Sequence, residues 1–255
     1  MNRFWHGGQL ELESEAALPP PIAHQVRRVL RLRPGDQLTL IGADRTEYLC
    51  ELVEAGSRDA VVRVMESLCP EVEYALRLTV AISLIKGEKP DWVVQKLTEV
   101  GVAEIIWMTS RRGVVEPATD RWPARLERYR RIATEAVEQS GRMQIPEVRG
   151  PISLNACLTL EREVRLICDP GAQVPASCEE WRGVGSALLL VGPEGGFTAD
   201  ELHLARSLGV RPLSVGKTVL RAETAAVVGA SSVLLAADRH PAGSGGVPRA
   251  EAPPS

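Results

Sequence analysis

The rhythm of apolar and polar positions changes near residue 72. Before it, alternation with period two predicts short strands at Gln37-Leu38-Thr39-Leu40-Ile41, Tyr48-Leu49-Cys50-Glu51-Leu52-Val53 and Ala60-Val61-Val62-Arg63-Val64. Pro34-Gly35-Asp36 and Gly42-Ala43-Asp44 supply turns between them. Short strands at this spacing predict a small β-barrel. A short helix is expected over residues 22–32, with Ile22, Val26, Val29 and Leu30 on one face and arginines flanking it.

Beyond residue 72 strands and helices alternate. Strands are expected at Leu76–Leu84, Val102–Met108, Val164–Cys168, Ala187–Val191 and Arg211–Val215. Helices are expected at Pro90–Val100, ended by Gly101, and at Arg121–Gln139, where Trp122, Leu126, Tyr129, Ala133 and Ala136 recur at spacings of four and three. A helix opened by the capping box Thr198-x-x-Glu201 and stopped by Gly209 follows, and Glu223–Ala237 closes the series. This order predicts an α/β domain with a parallel sheet covered on both faces. The expected organisation is a β-rich domain at 1–72, an α/β domain at 73–240 and a disordered tail at 241–255, rich in Pro, Gly, Ala and Ser.

Composition narrows the class. Apolar residues make up 44 % of 255 and charged residues 25 %, ordinary for a globular protein. No apolar run could span a bilayer and no long apolar leader opens the chain, so a cytoplasmic location is expected. The five cysteines, Cys50, Cys69, Cys157, Cys168 and Cys178, include no Cys-x-x-Cys pair, which argues against disulfides and structural zinc. The histidines lack metal-ligand spacing, so no metal is expected. Net charge is −3, yet charge is locally positive. His24, Arg27, Arg28, Arg31 and Arg33 lie in an acid-free stretch, and residues 111–131 hold seven arginines against three acids. Such patches are either solvated faces or sites for phosphate.

Three loops leave the C-terminal ends of predicted parallel strands, where ligands of open α/β sheets bind. They are Cys168-Asp169-Pro170-Gly171, Gly192-Pro193-Glu194-Gly195-Gly196, and residues 215–225 with Gly216 near the start. None is a P-loop or a Gly-x-Gly-x-x-Gly turn, which weakens a nicotinamide oxidoreductase reading.

In combination the motifs are specific. They comprise His24-x-x-x-Arg28-Val29-Leu30-Arg31, Pro34-Gly35-Asp36, Lys86-Gly87-Glu88-Lys89-x-Asp91-Trp92-x-x-Gln95-Lys96-x-Thr98-Glu99-x-Gly101, and Glu135-Ala136-x-Glu138-Gln139-Ser140-Gly141-Arg142 with Pro146. The signature pair is Val191-Gly192-Pro193-Glu194-Gly195-Gly196-Phe197 and Leu220-Arg221-Ala222-Glu223-Thr224-Ala225. With these motifs the chain resembles the RsmE-type family of small-subunit ribosomal RNA uridine N3-methyltransferases, in the SPOUT superfamily. The resemblance covers nearly everything before the tail. It implies a PUA-like barrel joined to an α/β domain with a trefoil knot, a homodimer, 16S ribosomal RNA as substrate and S-adenosylmethionine as cofactor. The implied cofactor residues are Asp169, Pro170, Val191, Gly192, Pro193, Glu194, Gly195, Gly196, Val215, Gly216, Leu220, Arg221, Thr224 and Ala225. The implied RNA contacts are His24, Arg27, Arg28, Arg31, Lys86, Gln139 and Arg142. Thr218 departs from the basic residue expected after Gly216-Lys217, leaving open a contact to cofactor or RNA there.

Uridine N3 carries a proton at neutral pH, so its methylation needs a base or electrostatic help. Glu223 and Glu194 are the acidic candidates, and Arg221 could stabilise charge developing on the uracil. Against this, either Glu could simply satisfy free amides at a helix N-terminus. Trp92 reads as helix packing before it reads as a stacking platform, and Arg28 and Arg31 touch phosphate or form salt bridges. Competing functions are a related methyltransferase acting on another RNA such as transfer RNA, and a non-catalytic RNA-binding ribosome-assembly protein.

Overall fold

The structure, a computed structural model, describes residues 2–56, 59–113, 121–172 and 183–238. Cys178 and the expected tail lie outside the described residues. The chain forms two compact units, one of Met1–Glu73 with Arg130–Ile145, the other of Tyr74–Tyr129 with the chain from Pro146 on.

In the first unit, strands β1 (Arg3–Trp5), β2 (Glu15–Ala17), β3 (Gln37–Ile41), β4 (Glu47–Ala55) and β5 (Ala60–Leu68) form one sheet in the order β1-β3-β4-β5-β2. β1 runs parallel to β3 and the other pairs are antiparallel. The alternation read from the sequence is the burial pattern found: Tyr48, Cys50 and Leu52 of β4 and Ala60, Val62 and Val64 of β5 point into one core with Leu38 and Leu40. This sheet is the core of the expected small β-rich domain; among the described residues it is not closed, and its edges are the three-residue strands β1 and β2.

The expected helix at 22–32 is shorter and changes pitch. Helix α1 (Pro20–His24) passes into a π-helical turn at Gln25–Val29. Ile22 and Val26 are buried, but the wider turn breaks the 3.6-residue face and leaves Val29 65 % exposed. Helix α3 (Trp122–Ser140) begins outside this unit, but its C-terminal half belongs to it, whereas the sequence assigned the whole helix to the α/β domain. The cause is a set of polar ties. Arg3 donates to the Glu47 carboxylate and to the carbonyls of Val137, Gly141 and Arg142. Glu138 accepts the Trp5 amide at 2.9 Å, and Val137 and Met143 pack on Ile41.

The second unit is built on a six-stranded sheet, all parallel. Its strands are β6 (Arg77–Ser83), β7 (Glu104–Thr109), β8 (Glu147–Ser153), β9 (Val164–Cys168), β10 (Ser186–Val191) and β11 (Arg211–Leu213), in the order β11-β9-β10-β6-β7-β8. Near-continuous apolar runs such as Leu188-Leu189-Leu190-Val191 are buried because helices cover both faces. On one face, α4 (Leu154–Leu158) and α5 (Ala199–Ser207) pack over Ala81, Ile106, Leu188 and Leu190. α2 (Lys89–Val100) and α6 (Ala222–Asp238) pack together, and α6 also packs on β6 and β10. Gly101 ends α2 in the left-handed conformation, φ 105°, and the capping box Thr198–Glu201 opens α5 with both reciprocal bonds present. Strand β8 and helix α4 were not anticipated; β8 contains Gly150-Pro151 and lacks clean alternation.

Candidate active site

β11, β9 and β10 lie side by side, so the loops after their C-terminal ends converge. They enclose a cavity of about 390 Å³. That is within the range of about 300–1,000 Å³ typical of small-molecule sites. Asp169, Pro170, Val191, Gly192, Pro193, Glu194, Gly195, Gly196, Val215, Gly216, Leu220 and Ala225 all line it. Arg221, exposed just ahead of α6, and the half-buried Thr224 are not in its wall. Thr218 does line the cavity.

The loop after β10 needs its glycines for specific reasons. A Cβ on Gly192 would sit 3.1 Å from the Phe197 ring, so the turn closes on that ring only without a side chain. Gly196 adopts φ 66°, which L residues rarely occupy. Gly195 is less constrained: a Cβ there would make ordinary contact with Arg112, at 3.4 Å. Behind the loops, a Cβ on Gly229 of α6 would meet Leu189 at 2.9 Å and Val215 at 3.3 Å. Gly229 therefore lets α6 press against the strands that carry the cavity.

Two anchors hold the rim. Asp169 accepts the Gly171 amide at 2.9 Å and pairs with Arg206 at 3.1 Å. Glu201 accepts the Thr198 amide at 2.7 Å and the Arg111 amide at 2.8 Å, fixing the turn after β7 beside the capped helix. Arg112, next in that turn, lines the cavity and donates to the Gly195 carbonyl at 3.0 Å. Cys168 also lines the cavity; burial pushes its thiol up to about 12, so it stays protonated and is no nucleophile.

Glu223 is 9 % exposed and lies in the first turn of α6. Its Oε1 lies 3.1 Å from Lys89 Nζ, and the same ammonium lies 3.8 Å from Oε1 of Glu194. Glu223 Oε2 is buried and has no hydrogen-bond partner. Burial by itself would raise the Glu223 carboxyl, but its own backbone amide, Lys89 and Arg221 outweigh burial and hold it below the usual range.

Of the expected RNA contacts, His24, Arg28 and Arg31 are exposed and Arg27 half-buried on the π-helical stretch and its exit. Lys86 and Gln139 are exposed as well. Arg142 is not placed as expected. It is 5 % exposed and paired with Glu73 at 2.8 Å, while Glu73 also accepts the amides of Met143 and Gln144. Its guanidinium folds the segment after α3 rather than facing solvent. Sequence reasoning missed Lys89 and Arg112 as site residues. The signal for Lys89 was present, since a basic residue opening α2 after Lys86-Gly87-Glu88 must lie at the C-terminal end of β6. Arg112 had only its place in a basic run.

Residues 72–234 match the family model described as RNA methyltransferase domain. The ribosomal RNA small subunit methyltransferase E of Mycobacterium bovis is 32 % identical over 80 % of each chain. A methyltransferase from Legionella pneumophila solved with bound SAM superposes with a TM-score of 0.83 at 31 % identity, covering 92 % of this chain and 97 % of that one. The ribosomal RNA small subunit methyltransferase E of Neisseria gonorrhoeae, solved bound to S-adenosyl methionine, gives 0.83 at 28 %, covering 91 % and 96 %.

Proposed function

The chain belongs to the RNA methyltransferase family, among the ribosomal RNA small subunit methyltransferase E proteins, and from that premise we propose that it methylates N3 of a uridine in 16S ribosomal RNA, using S-adenosylmethionine. The observation that carries the reading is a glycine-walled cavity at the ends of three parallel strands with a buried, half-partnered carboxylate nearby.

The residues present fit the cofactor. Val191, Val215, Leu220 and Phe197 give apolar walls for an adenine, and Gly192, Gly195 and Gly196 leave backbone within reach of a ligand. When bound, S-adenosylmethionine supplies an electrophilic methyl group. The protein's task is then alignment and removal of the N3 proton. Glu223 is the proton acceptor in this reading, because its Oε2 has no hydrogen-bond partner. Glu194, on the cavity wall and 39 % exposed in its side chain, is the alternative. Arg221 puts a guanidinium at the start of α6, suited to charge developing on a uracil oxygen. His24, Arg27, Arg28 and Arg31 supply phosphate contacts. A cytoplasmic location belongs to the same proposal, because ribosomal RNA is modified where ribosomes are assembled.

The test is incubation of small subunits from a strain lacking the gene with enzyme and cofactor, followed by nuclease digestion and mass mapping. 3-Methyluridine at one position is expected; another methylated nucleoside, or none, refutes the reading. The same membership implies a homodimer. Trp92 on α2 and Leu235 on α6 are 42 % and 52 % exposed, and these helices pack together. A monomer mass by light scattering at micromolar concentration refutes the dimer.

A further inference from the structure

We propose that Lys89 is a positioning residue of this site: its ammonium holds Glu223 through Oε1 and leaves the buried Oε2 as the open acceptor for an N–H of the target base. The inference rests on the uridine reading above and deepens it.

Three observations carry it. The Lys89 ammonium is 3.1 Å from Glu223 Oε1 and 3.8 Å from Glu194 Oε1, so one cation from the start of α2 joins a carboxylate in the first turn of α6 to one on the loop after β10. Glu223 Oε2 is buried without a hydrogen-bond partner, an arrangement that is unfavourable until a ligand supplies a donor. Glu194 lines the cavity, which puts the cluster at its edge. A uridine imide is such a donor. The N3 proton passes to Glu223 Oε2, the N3 electron pair forms the bond to the methyl carbon, and the carbon–sulfur pair leaves with sulfur.

The balance of charge explains why Lys89 is needed. Among the described residues, Lys89 from α2 and Arg221 just ahead of α6 act on the Glu223 carboxylate, and Glu194 from the loop after β10 shares the Lys89 ammonium. α6 also packs on β6 and β10; β10 has no ionisable side chain and β6 only Arg77 at its far end. Without Lys89, burial would favour the protonated acid, which cannot accept a proton, and would be opposed by the Glu223 backbone amide and Arg221. Lys89 thus keeps the carboxylate ionised, at the cost of basicity, and fixes which oxygen is free.

The experiment compares wild type with Lys89→Gln and Lys89→Arg. The Glu223 carboxyl carbon is titrated by 13C NMR in the S-adenosylhomocysteine complexes, assigned with Glu223→Gln, and single-turnover methyl transfer from S-adenosylmethionine is followed against pH on separate samples. Lys89→Gln should raise the Glu223 titration by about one unit or more. The acid limb of its rate profile should move up by the same amount, with S-adenosylhomocysteine affinity changed less than about threefold. Lys89→Arg, which keeps the charge, should restore most of both. An unmoved Glu223 titration in Lys89→Gln overturns the proposal, and so does a moved titration with an unmoved acid limb. If the wild-type product is not 3-methyluridine, the uridine reading falls, while the NMR titration still decides whether Lys89 controls Glu223.

Discussion

Glu104 has a perturbed carboxyl yet is expected to matter for stability and not for ligand binding. It opens β7 and is 8 % exposed. Its Oε1 accepts from Arg149 Nε at 2.6 Å; its Oε2 accepts from Thr79 Oγ1 at 2.8 Å and from Arg162 Nη2 at 2.9 Å. Burial alone would raise its carboxyl, but the bonds from Arg149 and Thr79 and the two guanidiniums hold it below the usual range. Glu104→Gln keeps the shape, removes the charge and puts an amide NH₂ among donors. Breaking a fully buried ion pair costs about 3–5 kcal/mol. Here the Arg149 and Arg162 side chains are 33 % and 26 % exposed and can turn to water, so we expect about 2 kcal/mol. For a protein of this size that is a fall in Tm of about 4–8 °C at pH 7. The sign with pH follows from the depressed carboxyl. Its stabilisation is full above the unfolded value, about 4.3, and is lost as pH falls through the lower folded value. Urea midpoints for wild type and variant should therefore differ at pH 7 and converge below about pH 4. Glu104 lies at the N-terminal ends of the strands and the cavity at their C-terminal ends, so S-adenosylhomocysteine affinity should be unchanged. A variant with wild-type stability at pH 7, or one that loses ligand affinity while folded, would refute this assignment.

Other expectations can be checked separately. Glu223→Gln should bind S-adenosylhomocysteine nearly normally and lose roughly 10² to 10⁴ fold in single-turnover methyl transfer, with a residual rate that rises with pH; full activity removes Glu223 as the base. Gly192→Val should abolish binding by calorimetry, because its Cβ already meets the Phe197 ring at 3.1 Å. Gly195→Ala, with only ordinary contacts, should retain measurable affinity, and the reverse order would refute the steric account. Replacing Arg28 and Arg31 by Ala should weaken RNA binding and reduce the salt slope by about 1.4–1.8, with cofactor affinity intact; an unchanged slope moves the RNA surface elsewhere.

The parallel sheet and its three loops were legible because buried strands announce themselves as apolar runs and capping boxes, turns and C-terminal glycines are local chemistry. Val164–Cys168 and Gln37–Ile41 begin and end where the sequence placed them. What escaped was set by distant partners. The half of α3 from residue 130 follows the first unit because of Arg3 and Trp5, which are 134 and 133 residues away from their partners in the helix, and Glu73 ties down the segment just after it. Val29 keeps an apolar spacing that a π-helical turn cancels, and no periodicity count reveals a change of pitch. Arg142 looked like an RNA contact only because its acid, Glu73, is remote.

The same distinction separates two kinds of glycine at the site. Gly192, Gly195 and Gly196 sit within one short motif, and their spacing marks a loop that approaches a ligand. Gly229 sits in the middle of a helix, where glycine costs about 1 kcal/mol relative to alanine. Its reason is visible only in three dimensions: Leu189 and Val215, and beyond them Cys168 at 3.7 Å, occupy the space a methyl would need. Val215 and Cys168 both line the cavity. A methyl at Gly229 would therefore push on the binding loops from behind, and helix propensity has been given up there to keep those loops in place. The close seating of α6 also sets the height of its first turn, and with it the position of the Glu223 carboxylate beside Lys89.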